Sequence, residues 1–314
     1  MPPDADDLFT SDPNWAAFAK EHGYLKPSPL PSAPVELDLA TNRANQTISE
    51  AEWARSHPLS SFGYTSCLTT VKVRDGTEIS VKLSYPTRQQ SQTKLPVLFV
   101  THGGGWVQGT HITEEAWLLW PLYSVFDLAV ISVEYRLASE HKFPTWMDDS
   151  WDVLERLLSD PEIFVSKFQP QAEISLDAQK VILSGSSAGA GTAAYLSQTC
   201  RDKNIPIYDS LLSSGEMRAV WDLIIPSATV GADLKASPLL GRVEGLRKHL
   251  IFVAGQDPLR DEGLAYAKKL QSAGVNVKLH VFPGVPHSFA EFWELDATQR
   301  FWRDIREGLE EWLT

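Results

Sequence analysis

Three short stretches carry side chains and backbone that could act together on a carbonyl group. In the first, Gly185-Ser186-Ser187-Ala188-Gly189 comes one residue after the apolar run Val181-Ile182-Leu183 and precedes a helical pattern. A serine framed by glycines suits a nucleophile held on a sharp strand-to-helix turn, because a strained turn tolerates only small neighbours. The start of the following helix directs N–H groups toward developing negative charge. In the second stretch, His102-Gly103-Gly104-Gly105-Trp106 follows the apolar run Leu95–Val100. Three glycines let the backbone approach a ligand closely and turn N–H groups inward, as an oxyanion hole requires. The third is a pair. Asp257 lies just past Leu250–Val253, and His287 follows Val277–Phe282 within Pro286-His287-Ser288-Phe289. A serine hydroxyl is a weak nucleophile until a base takes its proton; His287 would be that base, with Asp257 holding its tautomer and stabilising the imidazolium. Asp261 and Glu262 are rival acids, but both stand where a helix should begin, and charge at a helix N-terminus accounts for them.

These residues need elements to position them. Leu68–Val73 and Ile79–Tyr85 alternate around Asp75-Gly76, which predicts an antiparallel hairpin. Leu95–Val100, Leu128–Val133, Val181–Leu183, Leu250–Val253 and Val277–Phe282 read as further strands, the first four as continuous apolar runs of a buried parallel sheet. Between them, Glu114–Phe126, Trp146–Leu158, Ala190–Thr199, Asp261–Ser272 and Ala297–Leu313 carry apolar residues at helical spacing. Such alternation predicts an α/β fold, a mainly parallel sheet with helices on both faces, and ligands at the carboxyl ends of its strands. Residues 1–60 differ. Asp12-Pro13-Asn14-Trp15 begins one helical pattern and Ser49-Glu50-Ala51-Glu52-Trp53-Ala54 another, separated by a proline-rich connection. The expected organisation is therefore a helical cap segment over 1–60 and a catalytic domain over 61–314.

Bulk composition narrows the class. Lys+Arg 28 against Asp+Glu 40 gives a net charge of −12, the wrong sign for a nucleic-acid footprint or for binding anionic membranes through basic residues. No run is long and apolar enough to span a bilayer, and the N-terminus lacks the pattern of a secretory signal. Two cysteines, Cys67 and Cys200, are too few for a disulfide framework and fit a reducing cytoplasm. The remaining histidines form no metal-ligand spacing, and neither a Gly-x-Gly-x-x-Gly after the first strand nor a phosphate-binding loop is present, so no metal or nucleotide cofactor is expected.

Taken together, His102-Gly103-Gly104-Gly105-Trp106, Glu134-Tyr135-Arg136-Leu137-Ala138, Phe143-Pro144, Gly185-Ser186-Ser187-Ala188-Gly189, Ser237-Pro238-Leu239, Gly255-Gln256-Asp257 and Pro286-His287-Ser288-Phe289 resemble the hormone-sensitive-lipase-like branch of the α/β-hydrolases, the family IV carboxylesterases. The resemblance runs in the family's order from about residue 66 to the C-terminus. It implies Ser187, Asp257 and His287 as the triad and an oxyanion hole drawn from Gly103, Gly104, Gly105 and Ala188. It also implies that Tyr135, Arg136 and one of Asp148 and Asp149 support the scaffold beneath the site. Three departures stand out. Ser186 replaces the acidic residue that usually precedes the nucleophile, and Ser139 stands where proline is usual. The stretch between Ser187 and Asp257 is also some tens of residues shorter than the family's. The shortening falls between Thr199 and Ser237, which leaves an unusually short lid over about 200–237. Ala219–Ile225 is then either the central strand of this region or a lid helix with the strand missing.

The expected function is hydrolysis of carboxylic esters of small or medium acyl chains through an acyl-enzyme, with Trp106 among the substrate-binding residues. The expected partner is a small-molecule ester, and a homodimer is one assembly open to the chain. Two alternatives share these residues: a thioester or lactone hydrolase or cyclase releasing a polyketide-type product, and a non-catalytic small-molecule receptor on the same fold.

Overall fold

The computed structural model describes residues 5–24, 38–87, 94–166, 174–207, 209–213 and 233–313, with backbone alone for residues 5–6 and 209–213. Eight strands in these residues form one sheet: β1 (Tyr64–Lys72), β2 (Glu78–Pro86), β3 (Leu95–Thr101), β4 (Ala129–Glu134), β5 (Leu176–Ser186), β6 (Asp209–Ser213), β7 (His249–Ala254) and β8 (Val277–Phe282). Their order is β1-β2-β4-β3-β5-β6-β7-β8. β1 and β2 form the antiparallel hairpin, β2 pairs antiparallel with β4, and every pair from β4 to β8 is parallel.

β3, β4 and β7 are almost continuously apolar because both faces of the sheet are covered there. Side chains alternate between two cores. Val97, Phe99, Ile131, Val133, Val181, Leu183, Ile251 and Val253 point into one, and Leu98, Val100, Val130, Ile182, Leu250 and Phe252 into the other. Helices α5 (Thr145–Ser159), α6 (Ala188–Asp202) and α7 (Arg260–Ser272) close the first core. Helix α8 (Asp296–Leu313) closes the second with Phe301, Trp302, Ile305, Leu309 and Trp312, beside Trp15 and Ala19 of α2 (Pro13–Glu21). Burying each such side chain contributes about 1.5–3 kcal/mol relative to exposure, so a charge at a position such as Ile182 would be strongly destabilising.

Two expectations are corrected. Ser49 does not begin a helix: α3 runs over Leu39–Ser56, and Asp38 caps it by accepting the N–H of Thr41 at 3.0 Å. No proline or glycine interrupts residues 39–56, so the earlier cap sets the start. Nor is Glu114–Phe126 one α-helix. Thr110 and Thr113 form a capping box that starts α4 at His111–Glu114; a π-turn follows over Glu115–Leu119 and a 3-10 turn over Leu122–Ser124. Pro121, without an N–H, cannot continue the ladder between the last two.

The central strand is present. Asp209–Ser213 pairs with β5 from Ile182 to Ser186 on one side and with β7 from His249 to Phe252 on the other. It joins the strand that carries Ser187 to the strand that carries Asp257. Ala219–Ile225 lies outside the described residues.

Candidate active site

Each candidate residue sits where a parallel strand ends and the chain turns. Ser187 follows β5 at φ 54 and ψ −125, a conformation L-residues rarely adopt, and is the N-cap of α6. The flanking glycines are sterically required. A Cβ on Gly189 would stand 2.0 Å from the carbonyl oxygen of Thr101, and one on Gly185 2.5 Å from the backbone of Gly189. The turn is thus pressed against the end of β3, and the Thr101 hydroxyl donates to the Gly189 carbonyl at 2.9 Å.

Asp257 is buried just past β7. It accepts the backbone N–H of Leu259 at 2.8 Å on one oxygen and the Nδ1–H of His287 at 3.1 Å on the other. Those bonds fix the imidazole with Nδ1 toward the carboxylate and Nε2 away from it. His287 comes after β8, beside Ser288 in the left-handed region at φ 57. The rival acids are elsewhere. Asp261 is 76% exposed and pairs with Arg260 at 2.8 Å, and Glu262 lies in the first turn of α7.

Ser187 and His287 line one narrow cavity of about 30 Å³, walled by Trp117, Leu118, Ser186, Ser288, Ala290, Glu291 and Phe301. The glycine loop borders it: a Cβ on Gly103 would meet the Trp117 ring at 2.9 Å and Ser186 at 3.1 Å. Gly104 and Gly105 have φ of 108 and 64, open to glycine and strained for other residues. The N–H of Gly103 is already taken, donating to Glu114 Oε1 at 2.8 Å. Of the candidate oxyanion donors, Gly103 is therefore committed elsewhere, which leaves Gly104 and Gly105 with Ala188 at the start of α6.

Trp106 does not join the cavity wall. It is 3% exposed, stacks on Trp146 at 5.8 Å between ring centres, and donates its indole N–H to Thr192 of α6 at 3.0 Å. It anchors the far end of the glycine loop in the core, and Trp117 takes the aromatic position at the cavity. His102 is fully buried, its ring stacked 4.0 Å from Tyr135, whose hydroxyl donates to the His102 carbonyl at 2.6 Å. Burial pulls the His102 imidazole down to about 4, so it is neutral at pH 7. Arg136 holds Asp149 through two bonds of 2.9 and 2.6 Å, whereas Asp148 pairs with Arg74 and Lys235, so Asp149 is the scaffold acid.

Glu114, Trp117 and Glu291 were not among the sequence candidates. The signal for Glu114 was present: two acids, Glu114-Glu115, sit beside the strongly apolar Ala116-Trp117-Leu118-Leu119-Trp120. Acids in such a setting are buried and need partners.

A family model described as alpha/beta hydrolase fold matches residues 98–209 and 206–291. An ethyl acetate hydrolase of Pseudomonas putida is 28% identical over 308 residues, covering 88% of this chain and 91% of that protein. A carboxylesterase of Mycobacterium tuberculosis is 30% identical over 251 residues, covering 69% of this chain and 72% of its own. Among solved structures, a vibralactone cyclase superposes with a TM-score of 0.78 at 24% identity, covering 97% of this chain and 95% of its own. A bacterial heroin esterase superposes with 0.77 at 24%, covering 94% and 95%. At that identity the two structures share the fold, and the fold alone does not choose between hydrolysis and cyclisation.

Proposed function

The chain belongs to the α/β-hydrolase family, in its hormone-sensitive-lipase-like branch, and is an ester hydrolase; we propose that it cleaves carboxylic esters of short or medium acyl chains with Ser187 as nucleophile, His287 as general base and Asp257 as the orienting acid. The observation that carries this assignment is the Asp257–His287 bond of 3.1 Å at the rim of the cavity that also holds the strained Ser187. Ser187 Oγ attacks the ester carbonyl as its proton passes to His287 Nε2. The tetrahedral oxyanion lies toward the N–H groups of Gly104, Gly105 and Ala188. The imidazolium, held by Asp257, gives the proton to the leaving alkoxide, which departs as the alcohol. Water then attacks the acyl-serine by the same route, releasing the acid and restoring Ser187.

The bulky Trp117, Leu118 and Phe301 beside Ser187 favour a small acyl group, and the ester hydrolases among the similar proteins favour an oxygen ester over a thioester or lactone. The presence of His287 and its bond to Asp257 argue against a purely receptor role. We assign residues 1–60 as a cap segment over a catalytic domain at 61–314; the lid expected over about 200–237 falls largely outside the described residues, and Asp209–Ser213 within that range is a strand of the sheet. Support comes from the N-terminal backbone: Leu8 accepts from Gly284 at 2.8 Å and Asp12 donates to it at 3.0 Å, beside the loops of Asp257 and His287. No helix among the described residues is long and apolar enough to cross a membrane. Cys67 and Cys200 are both unpaired, which suits a cytoplasmic location, and whether the protein is a homodimer is a question for light scattering.

A fluorophosphonate probe tests the assignment. Labelling should map to Ser187, vanish in Ser187→Ala and fall steeply in His287→Ala. A folded wild-type protein that takes no label at Ser187 would overturn it. A series of p-nitrophenyl esters run beside a thioester and a lactone then reports the substrate class.

A further inference from the structure

Glu114 closes α4 with its side chain fully enclosed, and one of its oxygens gathers three donors from two separate loops. Oε1 accepts the backbone N–H of Gly103 at 2.8 Å, the backbone N–H of Ser186 at 3.3 Å and the hydroxyl of Ser186. Gly103 opens the glycine loop after β3, and Ser186 immediately precedes the nucleophile at the end of β5. A single carboxylate oxygen therefore bridges the loop that holds the oxyanion donors and the turn that holds Ser187. The second oxygen, Oε2, has no hydrogen-bond partner among the described residues. Burying a carboxyl group without full satisfaction costs free energy that an apolar side chain of similar size would not. Packing alone therefore does not explain a glutamate at this position.

We propose that Glu114 is a positioning residue: it sets the spacing between the oxyanion donors and Ser187 by tying Gly103 to Ser186. This inference rests on the serine-hydrolase assignment above. It also explains how the turn keeps a carboxyl partner although the residue before the nucleophile is Ser186. The carboxyl group comes from α4, and Ser186 serves as its donor. The groups that face Glu114 are neutral or distant in function. His102 is buried and uncharged, Tyr135 donates to the His102 carbonyl, and the neighbouring Glu115 is paired with Lys82 at 2.6 Å.

The geometry dictates what each substitution does. Glu114→Leu keeps the volume but removes the acceptor, and a displacement of the oxyanion donors by a fraction of an ångström to one ångström lowers the rate on the order of 10- to 100-fold. The loss should fall on kcat with p-nitrophenyl acetate, with KM within about twofold, because the ground-state ester does not depend on the donors as the transition state does. Fluorophosphonate labelling of Ser187 should slow in proportion. Glu114→Gln retains an oxygen acceptor and should recover most of the lost kcat. Ser186→Asp gives a second, independent arm. It sets a second carboxyl group against Glu114 and should lower kcat about tenfold, whereas Ser186→Asp combined with Glu114→Gln should return to within about threefold of wild type.

If wild type itself takes no label, the underlying assignment fails. If wild type is labelled and folded Glu114→Leu keeps wild-type kcat and labelling rate, the positioning role alone is overturned. If Glu114→Leu does not fold, the coupling decides: losses that simply add in the Ser186→Asp, Glu114→Gln pair overturn the proposal.

Discussion

Asp257 is held from two sides, by the Nδ1–H of His287 and by the N–H of Leu259, and its carboxylate side chain is wholly enclosed. An amide here would present an N–H to His287 Nδ1 in some orientations and favour the wrong tautomer. Asp257→Asn should therefore fold normally and lose kcat by on the order of 10⁴, measured with p-nitrophenyl acetate. A second prediction at this scale concerns protons. Burial raises the Glu114 carboxyl from 4.5 to about 7, against the lowering effect of its bonds to Ser186 and Gly103. The folded protein thus keeps a proton that the unfolded chain gives up above 4.5. Stability from this group is full below 4.5 and is lost as pH rises through about 7, a change of about 3 kcal/mol. Urea unfolding at pH 5 and pH 8 should show that loss in wild type relative to Glu114→Gln, which cannot titrate. Parallel profiles for the two proteins would contradict the proton on Glu114.

Among the elements, α3 has the clearest claim on the site. Arg43 donates to the Val107 carbonyl at 2.6 Å and to the Ala138 carbonyl, Gln46 accepts the Gly109 N–H at 3.2 Å, and Glu50 accepts from Thr110 at 2.6 Å and Thr113 at 2.5 Å. One face of this helix therefore grips the segment from the glycine loop to α4. The ion pair from Arg43 to the exposed Glu140 contributes little, but two backbone carbonyls would lose charge-assisted donors. Arg43→Ala should lower stability by about 1–3 kcal/mol and reduce kcat more than it changes KM, read by thermal unfolding beside steady-state kinetics. The strand-to-helix turn is less forgiving. Gly189→Ala drives a methyl into the Thr101 carbonyl at 2.0 Å, so soluble, folded protein should fall sharply on expression, with circular dichroism as the check. Elements with strong local signals were readable. β3, β4 and β7 are apolar runs, β8 alternates Val277, Leu279 and Val281 with Lys278 and His280, and α8 carries its aromatic stripe at helical spacing. β6 was missed because Asp209-Ser210-Leu211-Leu212-Ser213 has two leucines between polar residues, and its place comes from pairing with β5 and β7. The broken segment after α4 was misread because the apolar spacing persists across turns that Pro121 interrupts.

Among the described residues three imidazoles are buried: His102, His111 and His249. His102 and His249 are fully enclosed, and burial lowers each to about 4 against 6.5 in the unfolded chain. The unfolded chain takes up protons there that the folded protein refuses, so their support is complete above 6.5 and is lost as pH falls toward 4, by on the order of a few kcal/mol each. This slope runs opposite to that of Glu114. Glu134 and Glu291, which burial raises to about 6 and about 7, oppose this slope, so between pH 4.5 and 6.5 the unfolding free energy of His249→Phe should rise less than that of wild type. Equal slopes in the two proteins would mean that the His249 ring is solvated.

The residue types and their order were determined by the sequence itself. A serine between glycines, a triple glycine after a strand, and Asp257 and His287 at later strand ends reflect local sterics and local chain direction, which neighbouring residues dictate. What tertiary structure alone decided is spacing between parts of the chain that do not adjoin. Glu114 and Ser186 lie 72 positions apart and meet only because β3 and β5 are neighbours in the sheet. The same adjacency commits the Gly103 N–H to Glu114, and packing against α5 and α6 turns Trp106 from the cavity toward the core. A local signal can announce a nucleophile, but a buried carboxylate's purpose is set by the donors that the fold brings to it.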